Sequence, residues 1–226
     1  MTQELSLAGC RALVTGGHQA YGRALLTGLR TAGASAESLA LTDTTQAGVQ
    51  AAFAAGVTGL GGLDAVIHAQ IDSALLTIRP LLSTSESMWE QGCEASLQTA
   101  LFVLQASHRH LRERGGRIVL VTPTVSTSGE AGLVPLTTAA EAIRVLGKAA
   151  AKQWGRHGIT VNSLAPGLDA LSDRMDVSSA SIGEPSLPDY DPRRDVGPVV
   201  SFLASKAAAH LTGATLRVDG GSWTAG

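Results

Sequence analysis

The chain has 226 residues, a formal net charge of −2, 44% hydrophobic residues and 4% aromatic residues. A charge this close to zero, with so few aromatics, argues against a nucleic-acid or anionic-lipid surface, so neither partner is expected. A chain of this length buries roughly 70% of the surface its unfolded form exposes, so a single domain over 1–226 is expected, with no need for staples. Cys10 and Cys93 have neither zinc spacing nor a disulfide framework, and no metal site is expected. The stretch MTQELSLAGCRALVTGG lacks a basic segment followed by an apolar one, and no long apolar run follows. No signal peptide, no membrane span and a cytoplasmic location are therefore expected.

In chain order, short β-prone runs alternate with longer helical patterns. RALVT at 11–15 reads as a strand that stops at Gly16-Gly17. Residues 22–32 carry apolar residues at helical spacing and are closed by Gly33. A strand at 38–42, a helix at 46–56 and a strand at 63–68 follow. A long helix at 85–114 leads to a strand at 117–122. An Ala-rich helix at 134–157, closed by Gly158, precedes a strand at 159–164. Residues 169–193, with scattered Ser, Pro and Asp, read as a mobile loop. A helix at 195–205 and a strand at 215–218 complete the chain. This alternation predicts βαβ units in a doubly wound parallel α/β sheet, with ligands at the carboxyl ends of its strands.

The turn after the first strand, Thr15-Gly16-Gly17-His18-Gln19-Ala20-Tyr21-Gly22, lies between a strand and a helix. There the helix amides and dipole favour an anion. The stretch VTGGHQAYGRAL resembles the turn of the short-chain dehydrogenase/reductase family, and four further segments are similar to that family. They are 89–106, GGRIVLVT, Asn162-Ser163-Leu164-Ala165-Pro166-Gly167, and the C-terminal VVSFLASKAAAHLTGATLRVDGG. The resemblance covers nearly the whole chain and implies a Rossmann-like fold with the dinucleotide at Gly16, Gly22 and Asp43.

The sequence departs from the family at its chemistry. The middle glycine of the turn falls on Ala20, and Tyr21 stands where the family has an aliphatic residue. His68-Ala69-Gln70-Ile71 replaces the family's Asn-Asn-Ala-Gly. Aligned without gaps, the family's catalytic serine falls on Pro123, its tyrosine on Leu136, its lysine on Ala140 and its helix asparagine on Ser96. Only Ser96 keeps a polar side chain, and losing a general acid costs typically about 10²–10⁴-fold in rate. One βα unit is also missing. Asp43 matches the family's third-strand ending, which places the deletion before it. It also stands about 20 residues after Gly22, the spacing of a ribose-binding acid.

These departures lead to the expectation of a chain that has lost hydride-transfer catalysis and acts as a structural or regulatory subunit. It would hold no dinucleotide, with NAD or NADP as the cofactor if one is held. The resemblance implies a homodimer, homotetramer or heteromer with an active paralogue through 85–114, 134–157 and 215–218. Two alternatives stand beside this reading. One is an NAD(P)-dependent oxidoreductase of a carbonyl or alcohol with an unusual donor such as His68. The other is a non-redox lyase or cyclase with a ligand near His68, Ser96, Thr122 and Leu136. His108 and His110, two apart, are expected on a solvated surface, His18 in an exposed loop and Glu141 as an ordinary helix residue. Thr122, Thr124, Thr137 and Thr138 are hydroxyls able to bind a ligand there.

Overall fold

The computed structural model describes residues 5–171, 185–191 and 193–224. Among these residues six strands form one parallel sheet: β1 (Arg11–Thr15), β2 (Ser35–Leu39), β3 (Ala65–His68), β4 (Gly116–Val121), β5 (Ile159–Pro166) and β6 (Thr215–Val218). Their order is β2-β1-β3-β4-β5-β6. The six-stranded Rossmann order is 3-2-1-4-5-6, so the flank outside β1 is one strand short. The fold is thus the expected single α/β unit, with one strand outside β1 instead of two and four on its other side instead of three.

Alternate residues of each strand feed two apolar layers. Ala12, Val14, Ile67, Val119 and Val121 pack on α1 (Ala20–Thr31) and on the C-terminal helix Val196–Ala204. Leu13, Val66, Ile118, Leu120 and Val161 pack on the other side, against α2 (Gln46–Leu60), α3 (Ala95–Leu111) and α4 (Val134–Trp154). Phe53 fills the centre of that layer. The helix Val196–Ala204 is α5, and Gly28 of α1 lies directly on its Gly197.

Several spans differ from those predicted. β2 begins three residues earlier than 38–42, because the Gly33 turn (φ 101°) sets Ser35 opposite Arg11. β2 ends at Leu39 because β1, its pairing partner, ends at Thr15. The expected helix 85–114 is helical without a gap from Glu86 to Leu111, but not regular throughout. A short turn (Glu86–Met88) and a π-helical turn (Trp89–Glu94) precede α3. The π turn brings Gly92 against Leu75, where a Cβ would lie 2.5 Å from Leu75 Cδ2. α2 runs on to Leu60 and stops at Gly61 in the left-handed region. The expected loop at 169–193 falls partly outside the described residues. Of its described residues, 185–191 are tied down, with Ser186 N and Leu187 N donating to Gly220 O and Tyr190 OH to Val218 O.

Candidate active site

The strand order reverses between β1 and β3, and the carboxyl ends of these two strands open a crevice there. Gly16 takes φ 72°, and a Cβ on it would lie 2.7 Å from Ala69 O. A Cβ on Gly22 would lie 2.1 Å from Gly16 O. Both glycines are therefore required by the packing of the turn itself. α1 then starts with no side-chain cap and no acidic residue in its first turn. The helix itself thus supplies no anion to its first amides and positive dipole end. Ala20 opens this helix and adds a methyl group to the turn.

Gln19, the N-cap residue, turns its side chain away from the helix. Its amide donates to Ile71 O at 2.5 Å and accepts from Ile71 N at 3.2 Å, which ties the glycine turn to the segment after β3. Gln19 is absent from the sequence candidates. A glutamine at an N-cap, where Ser, Thr, Asp or Asn is usual, is the signal that could have found it.

Thr15 and His68 end adjacent strands in register. Thr15 Oγ1 and His68 Nδ1 lie 2.7 Å apart, and both side chains are buried. Burial pushes the imidazole down to about 4, because a charged ring is poorly solvated there. At neutral pH His68 is uncharged, and its Nδ1 is engaged in joining the two strand ends.

The hydroxyls after β4 fall into two kinds. Thr124 Oγ1 donates to Ala165 O, Ser126 Oγ to Pro123 O, Thr127 Oγ1 to Thr124 O and Thr137 Oγ1 to Val134 O. These groups build the turn. Thr122 Oγ1 is buried and has no partner among the described residues. It lies two residues beyond Leu120, which pairs with His68, so Thr122 and His68 share a face of the sheet. Sequence alone ranks these threonines together, and only the hydrogen-bond geometry separates them.

The four family positions come together less completely. Leu136 is buried with Leu75, Val125, Leu133 and Leu168 in a separate apolar cluster. Pro123 and Ala140 are buried, and Ser96 is half-buried on α3. Asp43 lies in an exposed turn beyond β2, where Oδ1 accepts from Thr45 N at 2.9 Å. That bond and the Thr45 side chain hold its carboxyl below the usual range. Glu141 pairs with Arg144 on its own helix. His108 and His110 are half-buried rather than solvated. His108 Nε2 meets His157 Nδ1 at 3.1 Å, and its ring lies against Trp154, because the ends of α3 and α4 converge there. His18 is exposed. No helix among the described residues is long and apolar enough to cross a membrane.

A family model described as enoyl-(acyl carrier protein) reductase matches residues 1–222. The chain is 31% identical to gluconate 5-dehydrogenase of Gluconobacter oxydans, covering 96% of this chain and 95% of that one. It is 27% identical to the 3-oxoacyl-[acyl-carrier-protein] reductase FabG of Vibrio cholerae, covering 97% and 99%. Among solved structures it is similar to a gluconate 5-dehydrogenase from Burkholderia cenocepacia in complex with NADP and tartrate. The TM-score is 0.84 at 25% identity, with 98% of each chain covered.

These findings overturn the expectation of a subunit without hydride-transfer catalysis. The relatives that match along the whole chain are named as dehydrogenases and reductases. The expectation of no cofactor loses its support as well, since a structure of the same shape carries NADP. The physical reason is that the inference rested on four side-chain positions. Glycine stands at 16 and 22, where a Cβ would collide with backbone, so the turn does not depend on those four side chains. With the family model spanning residues 1–222, the sheet order of a Rossmann-like fold and relatives covering both chains almost entirely, the protein belongs to the short-chain dehydrogenase/reductase family.

Proposed function

We propose that this chain is an NAD(P)-dependent oxidoreductase of a carbonyl or alcohol, working with a non-standard active site. The observation that carries the reading is the bare turn at Gly16 and Gly22, leading into an α1 whose N-terminus has neither cap nor acid. These residues fit a pyrophosphate, which helix amides and a positive dipole end bind. In this reading Asp43, exposed in the turn beyond β2, is the carboxylate for a ribose. The nicotinamide would supply or accept the hydride.

This chain's own residues then have to hold the substrate oxygen and manage its proton. Leu136 has no proton to give, and neutral His68 is a poor acid at pH 7. In this reading Thr122 Oγ1, a buried hydroxyl with no partner among the described residues, donates a hydrogen bond to the substrate oxygen. The proton itself comes from solvent in this reading.

NADH and NADPH binding by titration calorimetry, together with turnover on a panel of ketones, tests the proposal. Thr122→Val should leave dinucleotide affinity unchanged and lower kcat by about 10². Failure of both dinucleotides to bind up to about 1 mM, a free energy near −4 kcal/mol, would remove the reading.

The assembly that goes with it is a pair of copies packed through α3 and α4. Leu101 and Val145, 37% and 61% exposed, are large apolar side chains open on these helices. Val145→Glu should convert the dimer to a monomer in light scattering after size exclusion, because it buries an unpaired charge. A monomeric parent protein counts against this assembly.

A further inference from the structure

The contact between Thr15 and His68 has a direction. Thr15 is fully buried, and among the described residues its hydroxyl has one partner, His68 Nδ1 at 2.7 Å. Burial keeps the imidazole uncharged at neutral pH, so the ring carries one proton and only one of its nitrogens holds it. If that nitrogen is Nδ1, it donates to Thr15, and the hydroxyl's own proton is buried with no acceptor, a costly arrangement. If Thr15 donates to Nδ1, both groups are satisfied and the ring proton sits on Nε2.

The two nitrogens lie on opposite sides of the ring. With Nδ1 turned to β1, Nε2 faces away from β1, and the strand on that other side of β3 is β4. Thr122 follows β4 directly and shares a face of the sheet with His68. Its Oγ1 is buried without a partner among the described residues, and there His68 makes no hydrogen bond beyond the one to Thr15. Two polar groups on neighbouring strand ends are thus left over at the carboxyl edge of the sheet, where ligands of such sheets bind.

We propose that Thr15 fixes His68 as the Nε2–H tautomer, and that this N–H and Thr122 Oγ1 together hold the substrate oxygen as two neutral donors. The proposal rests on the functional reading above and makes Thr15 a positioning residue that touches no ligand. As the substrate carbon takes the hydride, the electron pair of its carbonyl bond moves onto the oxygen, and both donors stabilise the growing charge. Neither donor gives up its proton, and the alkoxide takes one from solvent. A ring that burial keeps neutral suits this role, since a fixed dipole is asked of it and not an acid.

A two-bond proton–nitrogen NMR spectrum of the full chain at neutral pH, without cofactor, reads the tautomer directly. The chain has 6 histidines, and the signal absent from His68→Asn assigns residue 68. A protonated Nε2 beside an unprotonated Nδ1 is expected. A proton on Nδ1, or an even exchange between the two forms, overturns the proposal. Turnover of a ketone that the parent reduces then tests the donor. Thr15→Val keeps the shape and removes the hydroxyl, and should lower kcat about tenfold while dinucleotide affinity stays unchanged, less than the 10²–10³ of losing a donor outright. Thr15→Ser should keep both the tautomer and the kcat of the parent. An unchanged kcat in Thr15→Val, or equal losses in the valine and serine variants, overturns the proposal. Thermal unfolding controls for folding, and the spectrum of the parent stands as the test should the valine variant not fold. Failure of the functional reading shows separately, as absent dinucleotide binding by the parent in calorimetry, and it removes the substrate oxygen from the proposal whatever the spectrum gives.

Discussion

Replacing Gly22 by alanine should destabilise the fold by about 3 kcal/mol or more, placing it among the severe single substitutions. The added Cβ would sit 2.1 Å from Gly16 O and 2.8 Å from Gly17 Cα. Both obstacles are backbone, so neither can rotate away. The turn can relieve the clash only by separating α1 from β1, which would also displace the amides offered to a pyrophosphate. The same substitution at Gly59 provides the contrast. Gly59 lies in α2, and a Cβ added there would meet nothing within 4 Å, so alanine should stabilise by about 0.5 kcal/mol through the unfolded chain's lower entropy. Urea unfolding midpoints at equal m-values read both effects. A Gly22→Ala protein as stable as its parent would show that the turn is looser than its contacts indicate.

Acidification should weaken the fold through His68. Its folded value is about 4 against 6.5 for the ordinary group, so the unfolded state takes up the proton first as pH falls. The stabilisation is complete above pH 6.5 and is lost as pH falls toward 4, amounting to about 3 kcal/mol over that window. His108 and His110 are also lowered, mainly by burial, and add to the slope with the same sign. The contribution of His68 is therefore read as a difference between proteins. His68→Asn keeps an acceptor near the Thr15 hydroxyl but cannot titrate. Its urea stability should fall less than the parent's between pH 7 and pH 4.5. Equal losses in the two proteins would mean that the imidazole is not held neutral by the strand ends.

The order of residues along the chain suffices for the alternation of strands and helices, the glycine turn, the strand missing outside β1 and the family. Each of these is a local pattern: a period of two or 3.6, a glycine where backbones touch, or a motif a few residues long. Folding settles everything that depends on which groups meet across the chain. It sets β2 at Ser35–Leu39, because an edge strand extends only as far as its neighbour does. It widens helix 85–114 into a π turn where Gly92 meets Leu75. It binds His68 to Thr15, joins His108 to His157, and singles out Thr122 among five similar hydroxyls as the one without a partner among the described residues. Hydrogen bonds between residues some 50 positions apart leave no periodic trace, so residue types by themselves cannot tell a hydroxyl that builds a turn from one left free for a ligand. Reading lost chemistry from Pro123, Leu136 and Ala140 failed for the same reason. Substituted positions report which side chains are gone, and only the folded site shows which remaining groups face the crevice.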